Sequence, residues 1–360
     1  MPSILQLPSI QLPHSPPLTS MPAIRSPLTS ASRRKLVLSY APDWIITLVL
    51  AAAFFALGHV RGFRRQFSVD DTSIRHTFAV HERVPDYALY LIAIVAPVVL
   101  QAAINVLTIR SWWDLHNSLL GLILGLSITG SVTNIVKITV GRPRPDMLDR
   151  CQPISGSVDP IYGLSNSSIC TLASNSSKLI DGFRSFPSGH SSLSFAGLGF
   201  LAFYLAGKLH LFDERGYAAK AWASLLPFVG AALVAISRTM DNRHHWQDVL
   251  VGSILGTVVS FFCYRQYYPS LMSEVSHRPY SPRIARADDH VGHHRHSVTR
   301  TGYRDDHPTN EDIVDSGPLE GTVLRDGPGP LREVWRDHES HEEETTALRP
   351  RDNGIPMESV

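Results

Sequence analysis

Six apolar runs follow one another between positions 43 and 264, and nothing else in the 360-residue chain restricts its fold as strongly. The first is "WIITLVLAAAFFALGHV" (44–60), the second "YALYLIAIVAPVVLQAAINVL" (87–107) and the third "LLGLILGLSITGSVTNIVKITV" (119–140). The fourth runs from about Ser191 to Ala206, the fifth from about Ala221 to Ile236, and the sixth, "VLVGSILGTVVSFFCY", covers 249–264. Each approaches the ~20 residues that carry an α-helix across a bilayer. Any one of them alone reads equally well as a buried helix of a soluble protein. Six in series, parted by charged loops, predict an all-α bundle of six transmembrane helices. The first run lies too far from the start, and lacks the small-residue cleavage pattern, to be a secretory signal peptide.

Both flanks are polar. Residues 1–32 are rich in Pro and Ser, with "SPPLTS" and "SPLTS" as a loose repeat. Such a stretch buries too little apolar surface to fold alone. Beyond Tyr268 the chain is charged and rich in histidine, as in "DDHVGHHRHSVTR". The expected organisation is a disordered tail over 1–40, a six-span domain over 41–268 and a second disordered tail over 269–360. The histidine spacing in that tail is too loose to suggest a metal site. The formal net charge is +1, so no global field points to nucleic acid.

Six spans place both ends of the chain on one side. With the N-terminus cytosolic, the loops at 61–86, 141–189 and 238–245 face the lumen or the exterior. The positive-inside count opposes this, because those loops carry Arg61, Arg64, Arg65, Arg142, Arg144 and Arg184. The orientation therefore requires another task for some of those cations. Asn166 and Asn175 favour it, as each opens a glycosylation acceptor pattern in the long loop. Cys151 and Cys170 share that loop, where an oxidising lumen permits a disulfide. Cys263 falls in the sixth run and reads as packing.

Three stretches at span boundaries converge on that same side: "KITVGRPRP" (137–145), "PSGH" (187–190) and "SRTMDNRHHWQD" (237–248). Singly, each has an ordinary explanation: a snorkelling lysine, interface arginines, a helix cap, a polar cluster at a helix end. Jointly they place many ionisable groups near hydrocarbon, where such groups are costly and generally functional. Lys137, Arg144 and Arg238 supply cations, and guanidinium groups grip phosphate oxygens two at a time. Ser188 offers a hydroxyl. Ser188 and Gly189 stand where the fourth helix begins, so unpaired amides and the helix dipole favour an anion there. The absent Cβ of Gly189 lets the backbone approach a ligand. The turn thus reads as a phosphate cradle with His190 beside it.

His244 lies four residues before Asp248 and His245 three, so on a helix either imidazole meets the carboxylate. A carboxylate on one ring nitrogen fixes the tautomer and leaves the other free to attack. Two histidines at one anion site suggest a division of labour: one attacks phosphorus, the other protonates the departing oxygen and then activates water. Side-chain cations stabilise the equatorial oxygens, so no metal or other cofactor is expected.

These residues resemble the signature of the phosphatidic acid phosphatase type 2 superfamily, the lipid phosphate phosphatases. The family pattern runs Lys, six residues, Arg-Pro; then Pro-Ser-Gly-His; then Ser-Arg, five residues, His, three residues, Asp. The chain shows Lys137 with Arg144-Pro145, then Pro187-Ser188-Gly189-His190, then Ser237-Arg238, His244 and Asp248. The resemblance extends over about 40–268, and it selects Arg144 over Arg142 and His244 over His245. The long loop and the "RQYYPSL" ending (265–271) resemble the fungal branch, which includes diacylglycerol pyrophosphate phosphatases. The resemblance implies that His244 becomes phosphohistidine, that Asp248 orients it and that His190 is the general acid. It implies that Lys137, Arg144, Ser188, Gly189 and Arg238 bind phosphate, without magnesium. The implied substrates are phosphatidate, lysophosphatidate or diacylglycerol pyrophosphate, met at the bilayer surface. The alternatives are a polyprenyl or sugar phosphate phosphatase and a catalytically silent protein that binds lipid phosphate.

Overall fold

The computed structural model describes residues 30–283 together with 322 and 323. Most of the two polar flanks, including the histidine-rich "DDHVGHHRHSVTR", lies outside the described residues. Where the flanks are described, they are structured. Helix α1 (Ser30–His59) already begins at Ser30, so the boundary predicted at 40 falls inside a helix. At the other end, residues 269–283 pack beneath the bundle. Ser276 donates to the Gly207 carbonyl at 3.2 Å, and Arg283 pairs with Asp43 at 3.0 Å.

The second apolar run is α2 (Asp86–Tyr90), a π-helical turn (Leu91–Val95) and α3 (Ala96–Leu107) in continuous succession. The third is α4 (Trp112–Val140). Two short helices in the long loop follow, α5 (Met147–Cys151) and α6 (Ser177–Gly182). The bundle closes with α7 (Gly189–Lys208), α8 (Ala218–Met240) and α9 (Trp246–Tyr267). Among the described residues there are isolated bridges but no strand.

Five helices are long and apolar enough to cross a membrane: Leu36–His59, Asp86–Leu107, Trp112–Val140, Ala218–Met240 and Trp246–Tyr267. The chain is thus a multi-pass membrane protein. The fourth predicted run, α7, is absent from that set although it has 20 residues. Its apolar character is diluted by Ser191, Ser192, Ser194, Gly197 and Gly199, all of them buried. A helix enclosed by other helices has less need of lipid-soluble side chains, and small residues let backbones approach closely. Gly252 and Gly256 of α9 supply the matching surface. A Cβ at Gly252 would lie 2.6 Å from the Ser188 carbonyl oxygen, and one at Gly256 would lie 2.3 Å from that of Ser192.

The ends of the bundle differ. At one, Asp114 is fully buried and accepts from Tyr204 at 2.7 Å, Lys208 at 2.6 Å, Asn105 at 2.8 Å and Tyr268 at 2.9 Å. At the other lie the C-termini of α4 and α8 and the N-termini of α7 and α9. Cys151 and Cys170 form a disulfide in the loop on that side.

Candidate active site

Gly141 ends α4 in the left-handed conformation, at φ 59°, and its amide returns to the Lys137 carbonyl. Glycine takes that backbone without strain. A Cβ there would also meet the Phe63 carbonyl oxygen at 2.1 Å. The turn sends Arg142 and Arg144 in different directions. Arg142 reaches Asp248 at 2.6 Å. Arg144 is buried; it donates to the Asp181 carbonyl at 2.9 Å, to the Asp181 carboxylate at 2.7 Å and to the Arg243 carbonyl at 3.4 Å.

Lys137 stands one turn back on α4. A Cβ on Gly189 would lie 3.0 Å from its ammonium nitrogen, so that nitrogen rests against the start of α7. Here the structure joins the first and second motifs. Ser188 caps α7: its hydroxyl oxygen accepts from the Ser191 amide at 3.4 Å and from the Ser191 hydroxyl at 3.0 Å. Its own amide donates to the Asp248 carbonyl at 2.9 Å, which joins the second motif to the third. Ser188 is fully buried, so its side chain holds the helix end rather than lining an open cradle. The first amides of α7 are the backbone donors that this turn leaves for an anion.

The sequence places His244 and His245 on a helix with Asp248; the structure does not. Helix α9 begins at Trp246, and His245 is its cap, closing a capping box with Asp248. The helical face-sharing argument therefore fails for His244. Its Nδ1 donates to the Ser185 carbonyl at 2.6 Å, while the Asp248 carboxylate stands 3.9 Å away. Asp248 instead accepts from the Ser185 hydroxyl at 2.5 Å, from Arg142 and from the His245 amide at 3.0 Å. Asp248 thus acts on His244 through Ser185, by fixing the residue whose carbonyl holds the ring. A carbonyl only accepts, so Nδ1 carries the proton and Nε2 keeps its lone pair. Burial pushes the His244 imidazole well below its usual range; the charges of Arg144, Lys137 and His190 push the same way, and the Ser185 bond opposes them weakly.

His190 donates from Nε2 to the Val84 carbonyl at 3.0 Å, with Asp86 at 3.7 Å. Arg238 is buried between Glu82, at 2.7 Å, and Asp241, at 2.9 Å. All eight predicted site residues therefore gather at one end of the bundle. Among the described residues no group of three or more His, Cys, Asp or Glu is arranged to hold a metal ion.

Several contributors were not read from the sequence. Arg142 and Arg243 lay inside the quoted motifs, but neighbouring arginines cannot be ranked without their partners. Glu82 sits in a loop and Asp181 in the short helix α6, where no periodicity singles out a residue. Ser185 acts mainly through its carbonyl, which no side-chain pattern reveals.

Residues 118–271 match the PAP2 superfamily model. Lipid phosphate phosphatase 2 of Arabidopsis thaliana is 41% identical over 228 residues, covering 63% of this chain and 77% of that protein. Probable diacylglycerol pyrophosphate phosphatase 1 of Schizosaccharomyces pombe is 38% identical over 240 residues, covering 66% and 84%. Diacylglycerol pyrophosphate phosphatase 1 of Saccharomyces cerevisiae is 37% identical over 246 residues, covering 66% and 82%. No solved structure matches the chain. Three motifs in order, their meeting at one end of a helical bundle and relatives aligned over most of their own length agree: the chain belongs to the PAP2 superfamily.

Proposed function

We propose that this protein is an integral membrane lipid phosphatase that works through a phosphohistidine, with α7 as a sixth span. The observation that carries the reading is the placement of His244: buried, its Nδ1–H held by the Ser185 carbonyl so that the lone pair is on Nε2, near the charges of Lys137, Arg144 and His190. Nε2 attacks phosphorus, and the N–P bond forms as the bond to the lipid oxygen breaks. The negative charge of the bound phosphate offsets the cations beside His190 and lets it carry a proton, which it gives to that oxygen. Water then attacks phosphorus and passes a proton back to His190; the N–P bond breaks and inorganic phosphate departs. Lys137, Arg144, Arg238 and the amides at Gly189 and His190 stabilise the charge on the equatorial oxygens. In a diacylglycerol pyrophosphate substrate the departing oxygen belongs to phosphatidate.

A lipid substrate is supported by an apolar cavity of about 460 Å³ lined by Phe54, Tyr90, Ile94, Leu126 and Leu193 among others. Leu193 lies one turn along α7 from His190, so the cavity sits directly beneath the general acid. A headgroup bound above it leaves room for a chain below.

The site faces the lumen or the exterior. Four of the six outer-loop cations that oppose this orientation have internal partners. Arg142 and Arg144 hold carboxylates, Arg184 donates to the carbonyls of Gly58 and Val60, and Arg64 donates to that of Ser174. Arginines engaged in this way are part of the fold and do not report on topology as free loop charges do. Asn166 and Asn175 are exposed on that side and available to carry glycans.

The test is phosphate release from phosphatidate by purified protein in detergent with a chelator present. Wild type turns over. His244→Ala loses about a thousandfold or more, as loss of a nucleophile does, and His245→Ala retains far more activity. No turnover by wild type, or His244→Ala at the wild-type rate, overturns the reading.

A further inference from the structure

Residues 76–85 form a strap across the site, and its contacts follow a pattern. Three of its acceptors meet donors beside the proposed phosphate pocket, while its Arg83 pairs with the enclosed Asp241. The Val84 carbonyl takes the proton of His190 Nε2 at 3.0 Å. The Ala79 carbonyl takes one from Arg243 at 3.1 Å. The Glu82 carboxylate takes two, one oxygen on Arg238 and the other on Arg243, each at 2.7 Å. A carboxylate that bridges two guanidinium groups presents the oxygens a phosphate would present.

The other carboxylates of the region are placed differently. Asp146, Asp241 and Asp248 are fully enclosed and bind arginines as part of the core. Asp181 also bridges two guanidinium groups and is more open, at 43%, but one of them, Arg150, is already locked by the enclosed Asp146. Glu82 is partly open to solvent, at 25%, and its partners among the described residues are the two guanidinium groups alone. Arg243 is buried, and its Nε has no partner among the described residues. A buried donor left unsatisfied is uncommon, and an ordered water or a ligand oxygen would satisfy it. Arg243 also directly precedes His244 in the chain.

We propose that Arg243 is a further phosphate ligand and that Glu82 holds its place, so that Arg238 and Arg243 form a two-guanidinium seat from which substrate phosphate displaces the Glu82 carboxylate. This rests on the phosphatase reading. It adds a residue outside the motif positions and a built-in competitor for the pocket. Glu82 keeps two adjacent guanidinium groups neutralised while the site is empty. Each substrate must then exchange one anion for another, so Glu82 weakens every phosphate ligand alike.

The experiment measures KM for phosphatidate and the competitive Ki of inorganic phosphate for wild type, Glu82→Gln, Glu82→Asp, Arg243→Gln and the double Gln variant. Glu82→Gln is expected to lower both constants by roughly fivefold, the scale of one partly exposed ion pair. Glu82→Asp, which keeps the charge on a shorter stem, falls between. Arg243→Gln raises both roughly tenfold, the scale of a charge-assisted bond. In the double variant the gain from Glu82→Gln is largely lost. A merely structural Glu82 would leave Ki unchanged or raise it. Such a result, in variants whose thermal midpoints match wild type, overturns the proposal. Should Glu82→Gln not fold, an unchanged Ki in Glu82→Asp does so. Wild type that hydrolyses phosphatidate while Ki stays fixed across the Glu82 variants refutes this inference alone. Wild type inert toward every lipid phosphate refutes the phosphatase reading beneath it.

Discussion

A single hydrogen bond decides much of what His244 can do. Its Nδ1–H points at a backbone carbonyl, which cannot give the proton back and carries no charge to be titrated. The ring is thereby held in one tautomer at any pH at which the fold survives. Asp248 secures the arrangement one residue removed, through the Ser185 hydroxyl. Other carboxylates of the site respond to pH more visibly. Burial by itself would raise the Asp181 carboxyl, but the positive charges of Arg144, Arg150, Lys137 and Arg243 outweigh it and bring it down to about 2. Its folded value is therefore depressed relative to the ~3.9 of an unfolded aspartate. The stability it contributes is complete above that value and is lost as pH falls through about 2. Asp181→Asn removes this linkage. The variant is expected to unfold at a lower temperature at neutral pH, and its thermal midpoint should fall less steeply than wild type between about pH 4 and pH 2. Parallel slopes in that window would show that Asp181 is not held by those arginines.

At the scale of the element, α7 and α9 form the seam on which the site depends. The Ser188 amide bonds to the Asp248 carbonyl across it, so any widening separates the phosphate turn from the carboxylate behind His244. Gly256 is the closest approach, with room for no further atom beside the Ser192 carbonyl. Gly256→Leu is expected to cost about 1–3 kcal/mol or more through overpacking. It should also reduce kcat before the fold is lost, because the seam opens toward the site. Thermal midpoint and kcat measured on the same preparation test this, and a fully active, fully stable variant would contradict it. The sequence announced the seam only in part. The apolar runs located both helices, since hydrophobic length survives without knowledge of neighbours. The Gly-rich, Ser-rich character of α7 does not say which helix it meets. The spacing argument for His244 fails for a related reason: His244, His245 and Asp248 have helical spacing whether or not the helix has begun. The strap over 76–85 was illegible altogether, because its contacts are made by backbone groups and by scattered side chains such as Phe78, Glu82 and Arg83 without any repeating pattern.

At the scale of the whole molecule, the decisive question is whether α7 crosses the membrane. Its flanks lie on either side of it in the chain: the disulfide-bearing loop before Gly189 and the short link to α8 after Lys208. If α7 spans, as the proposed function requires, these two segments face opposite compartments. Tyr162 is fully exposed in the first segment, and Glu214 is exposed in the second. The native cysteines among the described residues do not interfere, for Cys151 and Cys170 are joined and Cys263 is buried. Single Tyr162→Cys and Glu214→Cys variants in sealed membrane vesicles of known sidedness can therefore be labelled with a membrane-impermeant maleimide. One is expected to react at once and the other only after permeabilisation. With the lumenal face outward, the reactive one is Tyr162→Cys. Reaction of both before permeabilisation would place the loops on one side and leave α7 uncrossed. That result would part Lys208 of α7 from Asp114 of α4, which pair at 2.6 Å at the end of the bundle away from Gly189. That pair survives a re-entrant α7 only if α4 also fails to cross, and α4 has 29 residues of mean hydropathy 1.8.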